Sequence, residues 1–169
     1  RLELVTDVLC VAQIKSGSHA RLPVHDGLAG GKKHRDPMAR QSQRENRLGK
    51  RSHPNEIQGQ TLAIDAFNLI TTVEAAFSDG VLLEGSDGCW RDMASMHGSY
   101  RRVEETRPAL VLIGDHLSQL GVIQTNWYLD RPVSNSGRLS QLIRDIAAEH
   151  GWDWHTALEN NPETVLSKL

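Results

Sequence analysis

The clearest pattern in the chain lies at residues 61–68. Thr61, Leu62, Ala63 and Ile64 form a short, mostly apolar run that stops on Asp65, with Asn68 three residues on. Leu69, Ile70, Val73, Ala76 and Phe77 then recur at helical spacing. This predicts a buried strand, a carboxylate at its C-terminal tip and an amphipathic helix. Similar units follow. Residues 122–129 read as a second strand, ending on Asp130. Trp152, Trp154, Thr156 and Leu158 alternate with Asp153, His155 and Ala157, a third strand that ends at Glu159. Between the strands, Leu110, Ile113, Leu117 and Leu120 mark a helix from Pro108 to the stop at Gly121. Leu139, Leu142, Ile143, Ile146 and Ala147 mark another, stopping at Gly151. A last helix begins at Pro162 and reads as cut short at Leu169, with no stop signal.

The stretches outside these units are less regular. Residues 2–14 carry Leu2, Val5, Leu9 and Ala12 at helical spacing and predict a short helix. Residues 16–60 have only isolated apolar positions and predict loop or disorder, with a polar helix near 37–50. Residues 80–88 predict a short extended piece between turns, and residues 91–106 a helix of mixed polarity. From residue 61 the order is β-α-α-β-α-β-α. Strands separated by helices imply an α/β fold: a three-layer, Rossmann-like parallel sheet with helices on both faces.

Charge divides the chain in two. Residues 1–60 hold 11 Lys/Arg against 6 Asp/Glu, and residues 61–169 hold 8 against 15. The organisation read from this is a basic N-terminal extension over 1–56, partly helical or disordered, and an α/β domain over 57–169, truncated at its C-terminus. A basic segment suits an anionic partner and an acidic domain suits a cation, though both can equally be solvated surface. Two cysteines, Cys10 and Cys89, make neither a disulfide framework nor a metal-ligand spacing. A reducing cytoplasm is the expected location. No apolar run is long enough for a membrane span. The glycines at 27–31 before Lys32 lack the spacing and the flanking strand of a phosphate loop. Nothing in the sequence specifies an oligomeric state.

The candidate chemistry follows from the topology. In a parallel sheet the C-terminal strand tips share one edge, where ligands bind. Asp65, Asp130 and Glu159 therefore come to one rim. Clustered carboxylates suit Mg2+ or Mn2+, and such ions clamp the oxygens of a phosphodiester. The competing reading is that these acids cap helices or face solvent. Ser134, Asn135, Ser136 and Arg138 follow Asp130, where a loop and helix N-terminus can receive a phosphate or simply cap the helix. Arg91, with Asp87 and Asp92, forms either a substrate lip or a capping cluster. Arg101 lies with His97, Tyr100 and Arg102, a set suited to phosphate and base contact or to ordinary helix surface.

Residues 62–68, Leu-Ala-Ile-Asp-Ala-Phe-Asn, resemble the opening strand of PIN-like nuclease domains of the NYN and YacP-like branch, with Ala66 in place of the usual Gly. The segments IDAFNLI, DGCWRDMASMHGSYRRVEET and LDRPVSNSGRL resemble an uncharacterised prokaryotic family, domain of unknown function 434, over about two thirds of the chain. The resemblance implies a PIN-like fold and a metal-dependent nuclease hydrolysing RNA or another phosphodiester. It implies that Asp65 is a metal-binding carboxylate with Asn68 beside it, and Asp130 is the next candidate by position. It also implies a final strand ending in Ser-Asp or Thr-Asp, expected past residue 169. The alternative is a non-catalytic module that binds nucleic acid or protein.

Overall fold

The computed structural model describes residues 13–15, 19–21, 54–84, 90–92, 103–166 and 168. Its main sheet has strands β1 (Gln13–Lys15), β2 (His19–Arg21), β3 (Thr61–Asp65), β6 (Gln124–Asp130) and β7 (Trp154–Glu159), in the spatial order β1-β2-β3-β6-β7. β1 pairs antiparallel with β2, and the remaining pairs are parallel. Two short strands, β4 (Leu82–Glu84) and β5 (Trp90–Asp92), form a separate antiparallel pair. The helices are α1 (Pro54–Ile57), α2 (Ala66–Phe77), α3 (Thr106–Gln119), α4 (Ser136–His150) and α5 (Pro162–Leu166). The protein is thus mixed α/β, with parallel strands joined by helices.

The core follows the predicted periodicities. Phe67, Leu69, Ile70 and Val73 of α2, Leu110, Ile113 and Leu117 of α3, and Leu139, Ile143 and Ile146 of α4 join one apolar cluster. Leu62, Ile64, Trp127, Leu129 and Trp154 supply the sheet's share of it. Along β6 burial alternates: Thr125, Trp127 and Leu129 are buried, and the residues between them are half-buried. That is the period of a strand with one covered face. Leu166 of α5 is fully buried but lies outside this cluster, and α5 touches β3, β6 and β7.

The start of β7 is packed around aromatic rings. Trp152 stacks between His150 and Trp154, at centroid distances of 4.4 and 4.7 Å, and Trp154 meets Trp127 at 4.8 Å. Gly114 on α3 is the seat for this stack, since a Cβ there would fall 2.0 Å from the Trp152 ring.

Several expectations need correction. Residues 13 and 14 lie in a strand rather than in a helix over 2–14, and residues 19–21 form a strand where loop was expected. Pairing of β1 with β2, and of β2 with β3, overrides the weak local signal there. Residues 91 and 92 pair with β4 instead of starting a helix, and α3 begins at Thr106. Asp92 is held to α2 by the Thr71 and Thr72 hydroxyls, which donate to its carboxylate at 2.9 and 3.3 Å. The polar helix near 37–50 and the basic stretch 32–51 lie outside the described residues. Among the described residues no helix is long and apolar enough to cross a membrane.

Candidate acidic rim at the strand tips

Asp65 is the last residue of β3 and the N-cap of α2. Its carboxylate accepts from the Asn68 backbone N–H at 3.2 Å and from Asn68 Nδ2 at 2.8 Å. Both readings of Asp65, cap and rim acid, therefore describe the same side chain. Asn68 uses its amide N–H2 to orient Asp65, and its Oδ1 retains acceptor capacity.

The surroundings of Asp65 are hostile to charge. The residue is 3% exposed. Burial pushes its carboxyl from 3.8 up to about 7. The Asn68 N–H works against that shift, and the negative charges of Asp130 and Glu163 add to it. Asp130, half-buried at the end of β6, is raised mainly by burial and lowered by its own backbone N–H. Repulsion from Asp65 does not enter the Asp130 shift.

The register explains why these acids meet. β3 and β6 are neighbours, with Asp65 opposite Tyr128. Asp130 stands two residues beyond and opposite Glu159 of β7. Glu163 enters from α5, which touches β3, β6 and β7. Glu163 was missed by sequence reasoning. The available signal was an acid one residue into a helix that starts within three residues of a strand tip.

The other expected site residues separate into three groups. Ser134 and Asn135 are exposed on the β6–α4 connection, and Arg138 is exposed on the first turn of α4. Asn135 is the N-cap of α4 at φ 66°, but its side chain makes no capping bond. Arg138 Nη1 donates to Asn135 Oδ1 at 3.5 Å. Ser136 is buried, and its hydroxyl donates to the Arg131 carbonyl at 3.4 Å. The expected side-chain cap is therefore not formed at Asn135, whose backbone is left-handed instead of in the extended conformation usual for a capping residue. The backbone of Arg91 pairs with Leu83 in the β4–β5 pair. The Arg91 side chain, Asp87, His97, Tyr100, Arg101 and Arg102 lie outside the described residues. Glu74 accepts a hydrogen bond from the buried Thr106 hydroxyl and ties α2 to α3; it is not among the charges acting on Asp65.

The donor set is chemically suited to a hard cation. All the groups are oxygens, and Asp65 is a buried carboxyl whose charged neighbours carry its own sign. Among the described residues no three His, Cys, Asp or Glu side chains close into a metal cage. Mg2+ does not require one, because it is commonly held by one or two carboxylates plus waters and substrate phosphates.

Comparison with known proteins changes the family assignment. The model of a family described as "Domain of unknown function (DUF5616)" matches residues 54–169. The chain is 31% identical over 90 residues to "Uncharacterized protein MJ0935" of Methanocaldococcus jannaschii. That alignment covers 53% of this chain and 43% of the relative, so the chain spans less than half the length of that protein. No solved structure matches. The chain belongs to the DUF5616 family. The resemblances to PIN-like nucleases and to domain of unknown function 434 are thereby overturned. The opening motif is only an apolar strand ending on an acid and a helix start, a combination that many α/β folds share.

Proposed function

We propose that the acidic rim binds a divalent cation, Mg2+ or Mn2+, and hydrolyses RNA or another phosphodiester. The observation that carries this reading is Asp65: a carboxyl 3% exposed, raised to about 7, and faced by Asp130 and Glu163. A buried acid among like charges is costly unless a cation compensates it. Asp65 and Asp130 would hold the ion. A bound cation there would neutralise phosphate charge and activate a water for in-line attack. Asn68 fixes the Asp65 carboxylate through both of its oxygens, leaving their remaining lone pairs in a set direction. The N-terminus of α4, with Ser134, Asn135, Ser136 and Arg138 beside Asp130, is suited to receive the substrate phosphate, because helix N-termini favour anions. The reading carries with it a three-layer, Rossmann-like arrangement, in which α5 covers the second sheet face; the burial of Leu166 outside the main cluster supports it. A non-catalytic module that binds nucleic acid or protein is the second reading, favoured by the lack of a closed three-ligand cage among the described residues.

The test is cleavage of a labelled single-stranded RNA in Mn2+, Mg2+ and EDTA. Metal-dependent cleavage is expected, reduced by orders of magnitude in Asp65→Asn. Cleavage that persists in EDTA, or that is equal in Asp65→Asn, would sink the catalytic assignment.

A further inference from the structure

The sheet face opposite the apolar cluster, next to the acidic rim, is buried along β3 at Ala63 and Asp65 and only partly covered along β6. Along β6, side chains alternate between faces. Trp127 and Leu129 enter the apolar cluster, so Asn126 and Tyr128 point the other way, as does Asp130. Asn126 and Tyr128 are both only partly buried. Their register neighbours are small on one side or the other. Tyr128 stands between Asp65 and Ala157, and Asn126 stands between Ala63 and His155. None of these six residues belongs to the apolar cluster. Among the described residues neither the Asn126 amide nor the Tyr128 hydroxyl makes a side-chain hydrogen bond. A phenol ring beside Ala157, with an unengaged amide one step further down the sheet, offers an aromatic face and two hydrogen-bonding groups, the phenol hydroxyl and the amide. It lies two residues from Asp130, roughly 6.6 Å at the rise of a parallel strand.

We infer that Tyr128 and Asn126 form a base-binding subsite for a single-stranded nucleic acid, Tyr128 stacking one base and Asn126 hydrogen-bonding its edge, with the adjoining phosphate at the acidic rim. This deepens the proposed function and rests on its phosphodiester reading. Stacking on aromatic side chains is how single strands are commonly held, and it tolerates any base because each has a π-face. Asn126, with one acceptor and two donors, supplies the edge contact. The acids at the rim would repel a bare phosphate, so a divalent cation is part of the expected binding conditions. A duplex has its bases stacked internally and cannot offer one to Tyr128, so the subsite selects single strands.

The experiment is fluorescence anisotropy of a short labelled oligoribonucleotide, single-stranded or in a duplex, with Ca2+ as the cation. It compares the full chain with Tyr128→Phe, Tyr128→Ala and Asn126→Ala. Circular dichroism melts of each variant establish that it is folded. The expected result is binding of the single strand in preference to the duplex. Tyr128→Ala should weaken it roughly 5- to 150-fold, and Tyr128→Phe, which keeps the ring, should stay within about twofold of the parent. Asn126→Ala should change the preference among bases more than the affinity for a mixed sequence. Equal binding by Tyr128→Ala, or no binding by the parent chain, would overturn the subsite. The two proposals fail separately. Tyr128-dependent binding without hydrolysis in any metal removes the catalytic reading and leaves the subsite. Metal-dependent hydrolysis whose KM ignores Tyr128→Ala removes the subsite and leaves the catalysis.

Discussion

The two ends of the parallel strands treat their acids in opposite ways. At the N-terminal ends Asp153 is exposed and compensated. His155 Nε2 meets it at 2.9 Å, and Gln124 Nε2 donates to it at 3.1 Å. Beside it the rings of Trp152, Trp154 and Trp127 pack against one another and against Gly114. At the C-terminal tips Asp65 is buried, and the negative charges of Asp130 and Glu163 act on it. Among the described residues, Asn68 relieves it through two hydrogen bonds. A paired surface acid is what stability and solubility require. A buried acid facing its own sign works against stability, and such departures concentrate at functional sites. The contrast is the ground for proposing function at the tips, with packing at the opposite ends.

The largest expected effect bears on the tips. Asp65 has an ordinary value of 3.8 and a folded value of about 7. Between those values the folded state keeps a proton that the unfolded state has released. The associated stability is therefore present at low pH and is lost as pH rises through about 7. In EDTA, moving from pH 8 to pH 4 should raise the stability of the parent chain relative to Asp65→Asn by up to about 4 kcal/mol. Urea unfolding of both proteins across that range measures the difference. Parallel curves would mean that Asp65 is not a buried, charge-strained group, and the contrast between the two ends would collapse.

A smaller effect is expected at the opposite end. Gly114→Ala places a methyl group against the Trp152 ring and should destabilise by about 1–3 kcal/mol. It should leave any response to Mn2+ untouched. A loss of metal response in this variant would show that the two ends are coupled through the core. The smallest effect belongs to the compensated acid. Asp153→Asn should change stability by less than about 1 kcal/mol, because an exposed pair contributes little. A loss well above that in thermal melts would make the N-terminal ends more dependent on charge than their exposure suggests.

Much of this contrast was legible in the sequence. The strand ends at Asp65, Asp130 and Glu159 stood out because apolar runs stop there, and the parallel topology brings them to one edge. Leu62, Ile64, Ile70, Ile113 and Ile143 were legible as core from period alone. Other parts were hidden. β1 and β2 are three residues each and are held by pairing, which no local periodicity encodes. The β4–β5 pair is likewise short, and Asp92 is fixed by Thr71 and Thr72, some twenty positions away in sequence. Glu163 reaches the rim only because α5 folds back over the tips, a tertiary event. Family membership failed for another reason: Asp65 and Asn68 sit in a motif of seven residues that strand-end capping alone can produce. Among the described residues, Asn68 does serve that cap.

The central claim is that Asp65 is a carboxylate waiting for a cation. The most direct test is a set of thermal melts at pH 8, where Asp65 is ionised, of the parent chain and Asp65→Asn, each with and without millimolar Mn2+. Ligand binding to the folded state raises the melting temperature by mass action. The account predicts that Mn2+ raises it in the parent chain and not in Asp65→Asn, and that in metal-free buffer the variant melts at or above the parent because the repulsion is relieved. Equal Mn2+ responses in the two proteins would contradict it, as would a variant markedly less stable than the parent without metal.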